Sequence, residues 1–476
     1  MNAEERIPLL QALARLDYRE AENRERLERV FLPLPSHSLA LRPEVVIVRG
    51  GRGAGKSALF KLLRDLRTTE RIRAFFDDPR LPEATWIDAF AQSPDHPQDT
   101  TLDAFAKDRD EDTLRAFWMS HLLLRVAEER PGIASPPADL RAAWLDHRSD
   151  PARWVPLAQE RLGAVASALD QVERELSKTG ELVFATYDHL DRLGTFVPLI
   201  RRRYVSSLLA LWLSLSNRYQ RLRPKIFLRE DLLDAGELGF PDASKLRARS
   251  VSIDWDVESL YRVAVRHMAE SKELREWLEG VKRGFELRTL SKWGYMPGPM
   301  PESVQKAFAN RLAGEVMGAG AKKGYTYRWI PGHLQDAQLK VVPRSMLVLL
   351  GSAAREAIKH PLPNGQRLIT PQDLMTALTE TSRRRVGEIQ EEYKLVNRLR
   401  HLEGMTLLLG QDEVVSRVAR PAEGEPPGLS TDGRAVFEEL VRLGVLAIRS
   451  DGRVDVPDIY RDGFGIKRKG GVARPR

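Results

Sequence analysis

The sequence predicts an α/β core, a parallel sheet flanked by helices, that carries a helical insertion and is followed by an α-helical region and a small terminal unit of one helix and a hairpin. Three observations carry this expectation. The run Val45, Val46, Ile47, Val48 is β-branched throughout, as a parallel strand buried on both faces should be. It breaks into a glycine-rich turn and resumes from Ala58 with helical spacing. Further strand-like runs stand at residues 182–187, in "RPKIFL" and in "SVSIDW", whereas from Asp256 onward the pattern turns helical and stays so.

With 476 residues the chain is long enough for two or three domains with separate cores. The expected division is residues 1–42 as an N-terminal helical segment, 43–255 as the α/β core with its insertion at about 73–180, 256–400 as a helical domain, and 401–476 as the terminal unit with a basic tail. A hydrophobic content of 42% beside 30% charged residues describes a folded chain rather than a disordered one. No stretch has the apolar length of a membrane span, and "MNAEERIPLL" carries Glu4 and Glu5 where a signal peptide would be basic, so a cytoplasmic protein without a membrane partner is expected. The absence of cysteine excludes disulfides, thiolate catalysis and zinc–thiolate sites. The net charge of +8 comes from 75 basic and 67 acidic residues, a mixed surface on which attraction to nucleic acid and an ordinary arginine-rich exterior are equally good readings.

The turn "GGRGAGKS", residues 50–57, satisfies G-x-x-x-x-G-K-[ST] between a strand and a helix. Glycines let the backbone wrap closely round a phosphate, and amides at the start of the helix point inward with the positive end of the helix dipole. Lys56 is suited to reach β and γ phosphates, and the Ser57 hydroxyl to sit on Mg²⁺. This stretch resembles the Walker A loop of P-loop NTPases, which implies nucleoside triphosphate binding by Gly50, Gly51, Arg52, Gly53, Ala54, Gly55, Lys56, Ser57 and Ala58, with ATP and Mg²⁺ as cofactors. Adenine is the expected base, because no NKxD-type guanine reader, no ABC signature and no dinucleotide-type G-x-G-x-x-G follows a strand.

A loop of this kind needs a second strand that ends in an acid. "ELVFATYDHLDRL" supplies an apolar run that stops at Asp188, the candidate magnesium residue, with Asp191 placed to orient or deprotonate an attacking water. The alternative is that Asp188 caps the following segment while Asp191 faces solvent. His189 follows Asp188 where many ATPases carry glutamate, which predicts slow turnover or none. The pattern Asp188, Leu190, Asp191 resembles the Walker B segment of STAND, NACHT and KAP-type proteins, relatives that often act as slow switches. In STAND ATPases the strand equivalent to "RPKIFLREDLL" ends in an arginine that senses the γ-phosphate, which implies that role for Arg229; otherwise Arg229 pairs with Glu230 or Asp231 on the surface. Arg247 and Arg249, just before "SVSIDW", occupy places like those of inter-subunit arginines in origin-recognition-type AAA+ proteins. The run Arg201, Arg202, Arg203 reads as a solvated face.

In "VVPRSMLVLLGSAAREA" a proline suited to the first helical turn precedes Arg344, and the form resembles the sensor-2 helix of AAA+ lid domains, implying that Arg344 leans over the γ-phosphate when ATP binds between core and lid. The next helix has Thr370 as N-cap and Pro371 in its first turn. Leu114, Phe117, Trp118, Leu122 and Val126 recur at helical spacing as a core stripe, and "KKGYTYRWIPGH" reads either as a base-stacking segment or as a loop anchored by its aromatics. At the C-terminus a helix, a glycine and two short strands around Ser450-Asp451-Gly452 suggest a winged-helix-like domain, followed by Lys467, Arg468, Lys469, Arg474 and Arg476.

Two functional readings follow. One is an ATP-binding, slowly hydrolysing nucleotide switch; bacterial members of the resembled group are frequently tied to defence against phages. The other is a DNA-binding AAA+ ATPase of origin-recognition or transposition-regulator type. A degenerate ATP-binding scaffold is the remaining alternative. The partners expected are ATP and ADP, a second copy of the chain or another protein, and on the second reading duplex DNA.

Overall fold

The computed structural model describes residues 3–16, 24–63, 66–78, 81–194, 198–233, 243–290, 293–360, 367–425 and 429–469. Arg474 and Arg476 lie outside the described residues. The chain divides into two compact units: a sheet unit of residues 33–51 and 55–253, and a helical unit of residues 1–32, 52–54 and 254–476.

In the sheet unit, β1 (Ile47–Arg49), β2 (Thr85–Phe90), β3 (Val183–Tyr187), β4 (Leu222–Leu228) and β5 (Ser250–Ser252) form one sheet in the order β2-β3-β4-β1-β5. Every neighbouring pair is parallel, with Ile47 beside both Ile226 and Ser250, and Tyr187 also beside Ile226. Parallel strands need crossovers, and the helices Glu111–Glu129, Leu162–Thr179 and Pro198–Arg218 lie on the connections. From β1 the chain runs to the far edge at β2, returns through β3 to β4 beside β1, and then passes over β1 to β5. The connections therefore change direction at β1, and a crevice at the carboxyl ends of the strands is the usual consequence.

Burial explains why these segments are strands. All of β3 and β4 is buried, and their faces meet a core that includes Phe117, Trp118, Trp154, Tyr204 and Trp212. The aromatic stripe of the Glu111–Glu129 helix belongs to this core: Phe117 stacks on Trp154 at 5.5 Å, and the Trp118 indole donates to the Tyr204 carbonyl at 3.0 Å. One expectation needs correction. Residues 73–180 are not wholly a helical insertion, because β2 pairs with β3 as a member of the sheet. Asp88 interrupts the apolar run of "TWIDAF" and hides the strand signal, yet it is buried, with His96 Nε2 3.4 Å from its carboxylate.

The helical unit has one hydrophobic core that includes residues from Leu9 to Ile466. The helix Ala3–Ala14 packs on Pro343–Ile358, where Gly351 eases a close approach: a Cβ there would lie 3.1 Å from the Leu16 carbonyl, tighter than an ordinary contact. Asp256 caps Val257–Met268 by accepting from Ser259 N at 2.7 Å, and Thr370 with Asp373 forms a reciprocal capping box on Pro371–Glu392. The expected all-helical pattern after Asp256 is interrupted by an antiparallel pair, β6 (Leu287–Leu290) and β7 (Gly294–Pro297). Arg266 anchors it by donating to the carbonyls of Trp293 and Tyr295, and burial pulls this guanidinium down to about 10.

Toward the C-terminus, β8 (Thr406–Leu407) and the helices Gln411–Val418 and Gly433–Arg442 precede an antiparallel hairpin of β9 (Ala447–Ile448) and β10 (Val454–Asp455). Its turn closes through Arg449 N to the Arg453 carbonyl at 2.9 Å, with Gly452 at φ +79°. The last strand, β11 (Lys467–Arg468), pairs in parallel with β8. The expected boundary at residue 400 thus falls inside one core, and Gly463 N donates to Ser382 Oγ at 2.8 Å across it. Among the described residues no helix is long and apolar enough to cross a membrane.

Candidate functional site

The turn of residues 50–57 leaves β1 and enters the helix Lys56–Leu63. Gly53 at φ +83° and Gly55 at φ +97° occupy the left-handed region, where a side chain would be strained. Their spacing lets the loop reverse and deliver the chain to its first helical bond, Leu59 N to the Gly55 carbonyl at 2.9 Å. The Lys56 ammonium folds back over the loop, donating to the Gly50 carbonyl at 2.6 Å and the Gly51 carbonyl at 3.1 Å.

Parallel register brings further chemistry to the same edge of the sheet. Arg49 at the end of β1 stands beside Leu228 at the end of β4, so Gly50 and Arg229 both leave the sheet there. Asp188 leaves β3 in the same direction, its amide donating to the Phe90 carbonyl at 2.9 Å. The Asp188 side chain is buried, and among the described residues its Oδ2 has no hydrogen-bond partner, although His189 Nε2 stands 3.5 Å away. A buried carboxylate oxygen left without a donor is costly unless something positive approaches it. His189 turns the chain at φ +60°, a left-handed conformation unusual for a residue with a side chain, and leads into a 3-10 turn, Leu190–Arg192, that contains Asp191. Burial raises the carboxyl of nearby Asp99, opposed by Arg192 and reinforced by Asp103, His189 lowering and Asp191 raising it further.

Arg229 is buried at the carboxyl end of β4 rather than lying on the surface, and its neighbour Glu230 pairs with Arg49 at 2.9 Å. Arg344 belongs to the helical unit, in the first turn of Pro343–Ile358, where NH1 meets Glu388 Oε1 at 3.1 Å. In that unit it also lies beside the loop tip, since a Cβ on Gly53 would come within 3.4 Å of Arg344 Cβ. The Ala54 carbonyl accepts from the Trp255 indole at 2.8 Å.

Other candidates have local duties. Arg201 donates to the Leu193 carbonyl at 2.8 Å and Arg203 to the Ala106 carbonyl at 3.1 Å, which makes them more than a solvated run. Arg249 reaches Asn217 Oδ1 at 3.3 Å, while Arg247 is exposed on the helix Ala243–Ala248. "KKGYTYRWIPGH" is mostly the helix Thr326–Leu334, not a loop; Tyr327 is buried with its hydroxyl on Glu302 at 2.7 Å, and Trp329 packs on His333 at 3.9 Å between ring centres. In the terminal segment Arg434 meets Asp412 at 3.5 Å, Arg449 meets Asp455 at 3.3 Å and Arg453 meets Asp451 at 2.6 Å.

Among the described residues no group of three or more acidic or histidine side chains is arranged to hold a metal by itself. Mg²⁺ does not need one, since it usually keeps several waters and takes one or two carboxylates plus phosphate oxygens. The unpartnered Asp188 oxygen is a donor of that kind. The residues sequence reasoning missed are Arg385, Glu388 and Glu391, which touch the loop tip; their signal is the three-residue spacing in "RRRVGEIQEE".

No protein-family model matches the chain, and no curated protein is similar to it. Among solved structures it is similar to the Aeropyrum pernix ORC2 protein in ADPNP–ADP complexes, at 14% identity over 93% of this chain and 90% of that one, with a TM-score of 0.29. The Aeropyrum pernix ORC1 protein in complex with DNA is 13% identical over 93% and 89% of the two chains, with a TM-score of 0.31. The Walker-type ATPase paby2304 of Pyrococcus abyssi is 14% identical over 93% and 94%, with a TM-score of 0.35. Scores this low carry no argument, and the fold, a parallel sheet flanked by helices, stands on its own strand order and register.

Proposed function

We propose that the chain is a P-loop ATPase of low intrinsic turnover, acting as a nucleotide-dependent switch. The single observation that carries this reading is the buried, unpartnered carboxylate oxygen of Asp188, at the same sheet edge from which the glycine-rich turn departs. The loop amides and the start of the Lys56–Leu63 helix hold phosphate, and Lys56 exchanges its Gly50 and Gly51 carbonyls for phosphate oxygens. Ser57 and Asp188 hold Mg²⁺, which when bound neutralises charge on the transferred phosphoryl group. Arg229 and Arg344 read the γ-phosphate, and Asp191 orients the water.

Slow turnover is supported by His189. A glutamate in that place would be a base beside the acid, whereas the His189 imidazole stands against Asp188 itself. Measuring ATP binding and steady-state hydrolysis by the purified chain beside Lys56→Ala tests the reading. Wild-type binding that is lost by at least about 100-fold in the variant is expected, because a charge-assisted contact to phosphate disappears. Equal binding by both proteins would refute it.

The terminal helix and hairpin favour a second reading, an ATPase that holds duplex DNA. Arg434 and Arg453 are half exposed on this segment, each with an acidic neighbour with which phosphates would have to compete, whereas Arg449 is held against the buried Asp455 carboxylate. Duplex affinity that falls steeply between low and physiological salt would support this reading, and salt-independent or absent binding would remove it. A role in phage defence rests only on the resemblance of the Walker-type segments.

A further inference from the structure

Residues 52–54 belong to the helical unit, where they meet one face of the helix Pro371–Glu392. Arg385, Glu388 and Glu391 recur every third residue and so share that face. Arg52 donates to the Glu388 carbonyl at 3.0 Å and pairs with the Glu391 carboxylate, while Arg385 donates to the Arg52 carbonyl at 3.1 Å. Arg344 reaches the same place from the neighbouring helix, its Cβ close to Gly53. Two guanidiniums therefore flank the loop tip, and both bind one carboxylate: Glu388 Oε1 is 3.1 Å from Arg344, and Oε2 is 3.2 Å from Arg385. The Glu388 and Arg385 side chains are 17% and 13% exposed, so solvent screens this arrangement only in part.

A carboxylate that bridges two arginines beside an anion-binding turn is placed as a competitor for the anion. We propose that Glu388 is an internal substitute for the terminal phosphate of a nucleoside triphosphate, and that triphosphate binding transfers Arg344 and Arg385 from Glu388 to that phosphate. The inference rests on the nucleotide reading of the loop and adds its regulation, with Arg385 as a second arginine that sequence reasoning did not assign. A phosphate presents more charge and more acceptor oxygens than a carboxylate to the planar guanidinium fork. A diphosphate lacks the group that makes this exchange worthwhile and leaves both arginines on Glu388. Because Arg52 is tied to Glu388 and Glu391, the exchange acts on the residues that anchor the loop tip.

The test is calorimetric titration of the full chain, with Mg²⁺, by a non-hydrolysable ATP analogue and by ADP, for wild type, Glu388→Gln, Arg385→Gln and Lys56→Ala. Glu388→Gln should bind the analogue about tenfold more tightly and Arg385→Gln about tenfold more weakly, both with ADP affinity little changed. Lys56-dependent binding in wild type with an analogue-to-ADP affinity ratio in Glu388→Gln that is unchanged or reduced overturns the exchange from Glu388 and leaves the nucleotide site standing. Absence of Lys56-dependent binding in wild type overturns both. Glu388→Gln keeps the shape of the side chain, and Arg385→Gln reads the same exchange from the other partner, so if one variant fails to fold the other remains decisive.

Discussion

Asp188 concentrates the chemistry of the sheet unit in one atom. Its Oδ2 is buried at the end of β3 without a hydrogen-bond donor among the described residues, and the His189 imidazole stands 3.5 Å from it. An unpaired buried acceptor costs about 1–3 kcal/mol, so the native fold tolerates here a cost that a bound cation would remove. Asp188→Asn keeps the volume and deletes the charge. It should lower Mg²⁺-dependent hydrolysis by about 100-fold or more while leaving metal-free nucleotide binding within a few-fold, because Lys56 and the loop amides are untouched. Without nucleotide or metal the variant should be as stable as wild type or slightly more so. Hydrolysis and a melting curve on the same preparation check both parts, and unchanged Mg²⁺ dependence in the Asp188→Asn variant would remove Asp188 from the metal.

At the scale of elements, β4 shows both what the sequence discloses and what it conceals. The residues "IFL" that follow Lys225 read as a core strand because they are apolar, and so does the run of β1 before the loop. Lys225 in the same strand is fully buried, and its ammonium donates to the carbonyls of Arg42 and Val45 while lying 4.5 Å from the Phe184 ring centre. Burial pulls Lys225 well below the usual lysine range, and Arg223 adds to the shift. Lys225→Met should destabilise the sheet unit by about 1–3 kcal/mol, more than loss of an exposed lysine would, because the Val45 carbonyl loses the ammonium and the Arg42 carbonyl keeps only the Val45 amide. Chemical denaturation of wild type and variant measures this directly. Glycines and β-branched residues announce local geometry, which is why the Gly50 to Ser57 turn, β3 and β4 were legible. The strand β2 was not, since Asp88 breaks its apolar run and only its partner β3 explains the burial. Nor was the Arg385, Glu388 and Glu391 face, whose charges look like a solvated helix until the loop tip is placed against them.

Across the molecule, two buried histidines of the sheet unit set how stability should depend on pH. His37 accepts the Leu34 amide at 3.0 Å, and burial lowers it from 6.5 to about 3. His121 is likewise pushed well below its ordinary value, first by burial and then by the charges of His96 and Arg125; its ring lies among those of Phe117, Phe90 and Trp154. In the unfolded chain both take up a proton below about pH 6.5, so there the unfolded state binds more protons than the folded one and stability rises with pH. The stabilisation is complete above pH 6.5 and is lost as pH falls from 6.5 toward the folded value, about 3 for His37. Between pH 6.5 and pH 5 His37 alone should cost about 2 kcal/mol. Asparagine at this position can still accept the Leu34 amide but cannot titrate in this range. His37→Asn should therefore flatten the loss between pH 6.5 and 5 by about that amount, even if the variant is less stable at pH 7.5. Urea unfolding at the three pH values decides the matter, because a parallel decline in wild type and variant would show that His37 protonates in the folded chain as readily as in the unfolded one.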